Sequence, residues 1–414
     1  MHERIKANFI LVENNYNKIE TSSSPLGRLG GAAGIYIHIP FCKKACYYCD
    51  FHFSTTLKKK NELVNALVKE LVLRKDELKN QTVETIYFGG GTPSLLTMDE
   101  LRLLISEVYK NYSVVENPEI TLEANPDDLV SVRAQSRTIF EDYLEIGINR
   151  LSIGIQSFFE ADLKLMNRAH NAEEAKDCLE EATKHFDNIS IDLIYGIPGL
   201  STENWIKNIE TVLSYNIPHI SSYALTVEPK TALDTFIKKG VIKNVDEDLA
   251  QEQFYILIEK LEASGFVHYE LSNFGKPDYF SKNNSAYWQG KPYLGIGPSA
   301  HSFNGNERGW NVRNNSKYIK SLEQNVLPIE TEILSITDKY NEYVMTGLRT
   351  IWGVSLEKVE QDFGKQYKKY LLEQANFHLK NEMLYLNDGK IQVTKKGKFL
   401  SDGIASDLFK INLS

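Results

Sequence analysis

Disulfide framework, membrane span and bulk positive charge are all missing from this sequence. Only four cysteines occur in 414 residues, which rules out the cross-linked scaffold of a small secreted chain. No stretch approaches the roughly eighteen consecutive apolar residues of a membrane helix, and FILV at 9–12 is too short for a signal-peptide core. The formal charge of −8 argues against a nucleic-acid groove built on positive charge, so no nucleic-acid partner is expected. What is present, 42% apolar and 25% charged residues, describes an ordinary soluble globular protein long enough for two domains. A cytoplasmic location is expected, where thiols stay reduced.

Three of the cysteines, Cys42, Cys46 and Cys49, form a CxxxCxxC array starting where an apolar strand ends. Three thiolates on one short loop hold three corners of a cubane iron–sulfur cluster and leave the fourth iron open for chemistry. Zinc is the competing metal. A structural zinc site needs four closed ligands, usually from two CxxC-type pairs, and here His38 or His52 would have to complete the set. Cys178, in the helical stretch KDCLEEATKHF, reads as a small apolar residue.

Residues 1–33 lack sustained periodicity and end in a Ser/Gly-rich stretch, so they are expected to form a disordered leader. From Ile35 the pattern alternates. Strands are expected at 35–39, 84–88, 119–123, 150–155, 189–194 and 219–227, with helical periodicity between them. Residues 61–78 place Leu63, Leu67 and Leu71 on one helical face, and Thr97 to Glu100 make a capping box. Six strand–helix units in succession indicate an α/β fold with a parallel sheet, closing naturally as an incomplete (βα)6 barrel over residues 34–230. Residues 231–314 are expected to complete the barrel, with a smaller C-terminal domain over 315–414.

Active sites on such barrels gather at the carboxyl ends of the strands, and the unusual residues fall there. The cysteine loop follows the first strand and the run Gly89 to Gly91, then Thr92, follows the second. Without a Cβ, the glycines let backbone amides approach a ligand, although such a run also serves as a plain turn. Glu123 ends the third strand and Gln156 the fourth. Asp192 stands inside an apolar run, where a carboxylate needs a cation or several donors to offset its desolvation. Each of these, taken singly, is also what an internal salt bridge or turn would use.

In combination, CxxxCxYC, GGGTPS, LEANP, IGIQSF and DLIYGIPG resemble the radical S-adenosylmethionine superfamily and, within it, the oxygen-independent coproporphyrinogen III oxidase-like family. The resemblance runs from about Ile35 to the C-terminus. It implies a 4Fe-4S cluster whose open iron is chelated by S-adenosyl-L-methionine, and an electron donor to reduce that cluster. Residue by residue, it assigns Tyr36, Gly90 and Glu123 to the cofactor beside the cluster. Tyr48, Gly91, Thr92, Gln156, Arg168 and Asp192 match positions that contact a second S-adenosylmethionine in the oxidases. The oxidases carry another cysteine two positions after the third, where this chain has Phe51. The CDF ending resembles instead the heme chaperone subfamily, whose members bind heme and pass it to an acceptor protein. That reading is preferred here, and a radical oxidase acting on coproporphyrinogen III is kept as the alternative.

The subfamily's HNxxYW motif, linked to heme, corresponds to residues 283–288, so Asn284, Tyr287 and Trp288 match while Asn283 replaces histidine. Asparagine is a poor ligand for heme iron, which leaves Tyr287, His268 or His301 as candidates. Tyr287 and Trp288 would serve equally as core aromatics, and His301, in a glycine-bearing loop, as a structural histidine. Beyond residue 315, two helices, a hairpin turning at Asp388-Gly389 and a final helix suggest a winged-helix-like α+β domain. From Thr331 to Ser414, twelve Lys and Arg stand against eleven Asp and Glu. That balance lacks the footprint of a DNA reader, and contact with protein or heme is expected instead.

Overall fold

The structure is a computed structural model that describes residues 31–130 and 138–411. The leader expected over residues 1–33 lies outside the described residues except for its last three, which open the first strand. Twelve strands form one sheet in the order β12-β11-β10-β9-β1-β2-β3-β4-β5-β6-β8-β7. Their ranges are β1 Gly31–Ile39, β2 Gln81–Gly90, β3 Val114–Ala124, β4 Arg150–Gln156, β5 Ile189–Tyr195, β6 His219–Ala224, β7 Val267–Glu270, β8 Asn273–Gly275, β9 Tyr293–Ile296, β10 His301–Phe303, β11 Glu307–Asn311 and β12 Ile329–Ile333. Strands β2 to β6 pair in parallel, and β1 lies between β2 and a parallel β9. Antiparallel strands extend both flanks, ending at β12 on one side and on the other at β7, which bridges to Thr350, and the barrel stays open, as expected.

Burial on both faces explains the parallel strands. All residues of β4 are buried, and β5 reads buried throughout except at Asp192. Within each strand the two faces differ in kind. Apolar residues such as Ile86, Phe88, Ile120, Leu122, Leu151, Ile153, Ile191 and Ile220 are buried in the main core with the covering helices. The alternate positions are polar: Thr85 and Tyr87, Glu119, Thr121 and Glu123, Arg150 and Ser152, Ser190 and Asp192, then His219, Ser221 and Tyr223. Register aligns these positions across strands, Tyr87 beside Thr121 beside Arg150, and Glu123 beside Ser152 beside Ser190 beside His219. The barrel therefore has an apolar wall and a polar lumen.

The first covering helix, Lys60–Leu73, buries Leu63, Leu67 and Leu71 and stops short of the expected Leu78. Arg74 turns inward there: its guanidinium binds Glu70 at 3.0 Å, Glu77 at 2.7 Å and the Gly295 carbonyl at 2.8 Å. Glu70, fully buried, accepts from Arg74, Asn311, the Gly297 amide and Tyr318. One carboxylate thus fastens the β9–β11 flank to the first helix. The capping box at Thr97 and Glu100 forms as expected.

Residues 315–333, which the sequence pattern assigns to the C-terminal piece, pack with the sheet instead. The helix Asn315–Glu323 puts Tyr318, Ile319 and Leu322 into the main core, and β12 joins the sheet. A second core runs from Tyr340 to Leu408. It contains three helices before the hairpin rather than two, because Gly364 at φ 94 separates Leu356–Phe363 from Lys365–Lys380. The hairpin Leu384–Asn387 and Lys390–Val393 turns at Asp388 and Gly389, both at positive φ as a type I′ turn requires. With Val354–Ser355 pairing on Lys390–Val393, this is a winged-helix arrangement. Among the described residues no helix is long and apolar enough to cross a membrane.

Replacing Glu70 by Ala removes one of the two carboxylates on Arg74 and the shared acceptor of Asn311, the Gly297 amide and Tyr318, so urea unfolding should show a loss of about 3–5 kcal/mol. Glu70→Gln, which keeps hydrogen-bonding capacity, should cost less.

Candidate functional site

The cysteine loop is closed at its base and held from the side. Cys42 donates its amide to Ser54 O at 3.0 Å, and Ser54 donates back to Pro40 O at 2.8 Å. Laterally, Tyr47 N–H reaches Met166 O at 3.1 Å and Asn167 Nδ2 reaches Ala45 O at 2.7 Å. Arg168 completes the hold: Nη1 lies 3.2 Å from Cys46 Sγ and 3.5 Å from the Tyr48 hydroxyl, while Nη2 donates to Asn125 Oδ1 at 2.6 Å and Gly154 O at 2.9 Å. The loop is thereby tied to the carboxyl ends of β3 and β4.

All three loop thiols are free and half-buried. Burial raises the Cys42 thiol and pushes Cys49 up to about 11, so loading metal must release protons. Among the described residues no three His, Cys, Asp or Glu side chains converge on one ion position. A mononuclear zinc site would bring its ligands to one point, whereas cluster cysteines each hold a different iron. His38, a candidate fourth zinc ligand, is occupied: Nε2 donates to His52 O at 3.2 Å and Nδ1 accepts from Tyr36 Oη at 3.0 Å. Burial lowers its pKa to about 4 and keeps it neutral.

The glycine run meets protein rather than open space. A Cβ on Gly90 (φ +110) would lie 2.4 Å from the His38 ring, and one on Gly91 would lie 2.6 Å from Phe41 O. The Gly90 amide donates to Glu123 Oε2 at 3.1 Å and the Gly91 amide to Ile39 O at 2.9 Å. These amides are spent internally, and the glycines serve the close approach of β2 to the cysteine loop. Thr92 accepts from Asn125 Nδ2 at 3.2 Å and its hydroxyl reaches the Cys42 thiol. Gln156 has φ 66, an uncommon conformation that concentrates at functional sites. Its amide and Arg168 converge over Gly154.

The remaining expected cofactor residues face a cavity of about 340 Å³ inside the lumen. Tyr36, Glu123 and Asp192 line it together with Asn283, Asn284, Tyr287 and Trp288, so the two groups of expected binding residues share one space. They approach it differently. The cysteine loop follows the carboxyl end of β1, while Asn283 sits among the earlier residues of β1–β3. Its Oδ1 accepts from Thr85 Oγ1 at 3.0 Å, and Glu119 takes the amides of Lys282 and Asn283, each at 3.2 Å. The helix Lys282–Trp288 thus closes the lumen away from the cysteines.

Neither histidine considered as an iron ligand reaches the cavity. His268 donates Nε2–H to Leu271 O at 2.9 Å and its Nδ1 accepts from Lys398 Nζ at 2.7 Å, and His301 is an exposed residue of β10 beside the Trp310 ring. Lining residues not foreseen include Tyr87, Arg150, Tyr223, Glu270 and Arg349. For the first three the alternation of polar and apolar residues within each strand was the available signal. Glu270 and Arg349 come from segments with no such pattern.

The lumen is short of positive charge. Burial and nearby Glu123 raise Asp192 to about 7, against the pull of Arg150 and Arg168. Burial likewise raises Glu123, even though Tyr87 donates to it at 2.8 Å. The Nε atoms of Arg150, Arg168 and Arg349 are buried without an acceptor among the described residues. A cationic, polar-edged ligand fits such a space.

Each of Cys42→Ser, Cys46→Ser and Cys49→Ser should abolish the iron and sulfide content of anaerobically reconstituted protein. For S-adenosylmethionine, equilibrium dialysis should give an affinity that rises up to about tenfold between pH ~6 and ~8, because the sulfonium favours ionised Asp192. Asp192→Asn should bind more weakly with a flat pH profile.

Comparison with known proteins agrees with this geometry. Residues 36–226 match the Radical SAM superfamily and residues 334–400 the HemN C-terminal domain. Heme chaperone HemW of Lactococcus lactis subsp. lactis (strain IL1403) is 32% identical over 89% of this chain and 95% of its own length. Its counterpart in Bacillus subtilis (strain 168) is also 32% identical, over 89% and 97%. Coproporphyrinogen III oxidase (HemN) from Escherichia coli shares the fold, with a TM-score of 0.79 over 93% of this chain and 91% of that one at 24% identity. Family membership implies a 4Fe-4S cluster and S-adenosylmethionine as resident cofactors, and the cysteine loop and carboxylate-lined lumen fit both. The chain belongs to the HemW family of the radical S-adenosylmethionine superfamily.

Proposed function

We propose that this protein is a heme carrier: it takes up heme, holds it at the mouth of the lumen beside Tyr287 and Trp288, and delivers it to an acceptor protein in the cytoplasm. The observation that carries this reading is the placement of residues 283–288 away from the cysteine loop. A porphyrin resting there meets the cavity from the side opposite the cysteine loop, against aromatic surface rather than against the cluster loop. Phe51, standing where the oxidases have a further cysteine, is 70% exposed and adds no ligand. The relatives named heme chaperones support the same choice.

At about 340 Å³ the cavity lies near the lower end of the ~300–1,000 Å³ spanned by ligand pockets. That volume suits a nucleoside-sized cofactor inside and leaves a porphyrin at the opening, where Tyr287 is 37% exposed and stacks on Tyr293 at 4.0 Å. When bound, the cluster supplies an open iron for S-adenosylmethionine and, once reduced by an electron donor, one electron. The chain's own residues hold and orient. Arg168 fixes the loop through Cys46, Glu123 and Asp192 offer negative charge to a cationic ligand, and neutral His38 keeps the Tyr36 hydroxyl in place. Among the described residues lining the cavity, tyrosines are the side chains that commonly serve as axial ligands of heme iron.

Hemin titration of cluster-reconstituted protein, followed at the Soret band, should saturate near one heme per chain. Asn283→His should bind more tightly and shift the band, since an imidazole then faces the cavity. Absence of saturable binding, or turnover of coproporphyrinogen III by the same sample, would move the function to the oxidase class.

A further inference from the structure

We propose that Arg349 is the carboxylate anchor of the heme site, binding a propionate at the porphyrin edge while the ring lies along Trp288. The inference rests on the heme-carrier reading and deepens it. Heme carries two carboxylates, and an arginine within their reach binds them by strong charge-assisted hydrogen bonds. Among the described residues the lining contains three carboxylates, Glu123, Asp192 and Glu270, and two cations, Arg150 and Arg349. Arg150 is 2% exposed at the first residue of β4 and serves the lumen carboxylates. Arg349 is therefore the cation available at the mouth.

Its surroundings suit that task. The guanidinium lies 5.1 Å over the Trp288 ring, so a planar ligand against that indole would meet it at the edge. Nη2 donates to buried Glu270 at 3.3 Å, which holds the side chain from below. Glu270 has other donors, the Ser272 amide and Asn273 Nδ2, and does not depend on Arg349 alone. Nη1 is engaged at 2.6 Å by Asp402, whose side chain is 54% exposed, while Nε is buried without an acceptor among the described residues. The exposed carboxylate on Nη1 makes a site where an incoming carboxylate can displace Asp402. The exchange is like for like: one carboxylate leaves the guanidinium, another arrives, and no proton or electron moves. Arg349 and Asp402 both belong to the C-terminal part of the chain, so heme would bridge barrel and C-terminal domain.

Hemin and iron protoporphyrin IX dimethyl ester differ only in whether the edge carboxylates are free, and Soret titration with both tests the assignment. Arg349→Met should weaken hemin binding at least roughly tenfold, the range of a charge-assisted hydrogen bond, and leave the ester nearly unchanged. Asp402→Asn, at an exposed position, should tighten hemin binding severalfold without affecting the ester, a gain that a purely structural ion pair does not produce. Equal weakening of both ligands by Arg349→Met, unchanged hemin affinity in that variant, or no gain from Asp402→Asn would overturn the proposal while wild-type hemin binding stands. No saturable hemin binding by the wild type would overturn the heme-carrier reading and this anchor with it.

Discussion

A polar lumen inside an apolar wall is the constraint on which the rest of this structure depends. Parallel strands covered by helices must be apolar on their outer face, and period-two geometry then hands the alternate positions to the interior. Here those positions are Tyr87, Glu123, Arg150, Ser152, Ser190, Asp192 and Ser221. Ionisable groups in such a space cannot all be charged without compensation. Hydrogen bonds from Tyr87 and Gly90 to Glu123 and the field of Arg150 supply part of it. The remaining imbalance, visible in the raised Asp192 carboxyl, makes the lumen receptive to a positively charged guest. Protein and cofactor complete one another electrostatically.

The same alternation explains what was legible in the sequence. Apolar runs marked the parallel strands within a few residues, and the cysteine spacing marked the loop, because both are local patterns. The helix after the cysteine loop was read too long, since its end is set by Arg74 turning toward Glu70 and the Gly295 carbonyl, a partner more than two hundred residues away. The glycine run was read as a source of free amides. Its glycine requirement comes instead from the His38 ring and Phe41 carbonyl pressing on it, which no one-dimensional pattern encodes. Residues 315–333 looked like the start of a new unit because their periodicity changes, yet Tyr318 is drawn back into the main core by Glu70.

Asn283 shows how a departure from the family motif can be structurally absorbed. Its carboxamide replaces histidine at a buried position and finds a donor in Thr85, while Glu119 caps the helix that carries it. The helix keeps its place, so Tyr287 and Trp288 keep theirs. The position carries no imidazole, yet the wall that it helps build is kept. Under the proposed heme-carrier reading, binding here would draw on aromatic surface as well as on any bond to the metal.

The cysteine loop near the start of the chain is finished by residues made long afterwards. Arg313 donates to Asp50 O, His52 Nε2 donates to Asn315 Oδ1 at 2.7 Å and Lys59 reaches Ser316 at 3.1 Å, while β1 takes β9 as a parallel neighbour. During synthesis the three thiols therefore leave the ribosome well before their supports exist. Contacts of such high sequence separation form late. The final packing of the cysteine loop is consequently set only once the last strands of the sheet are in place.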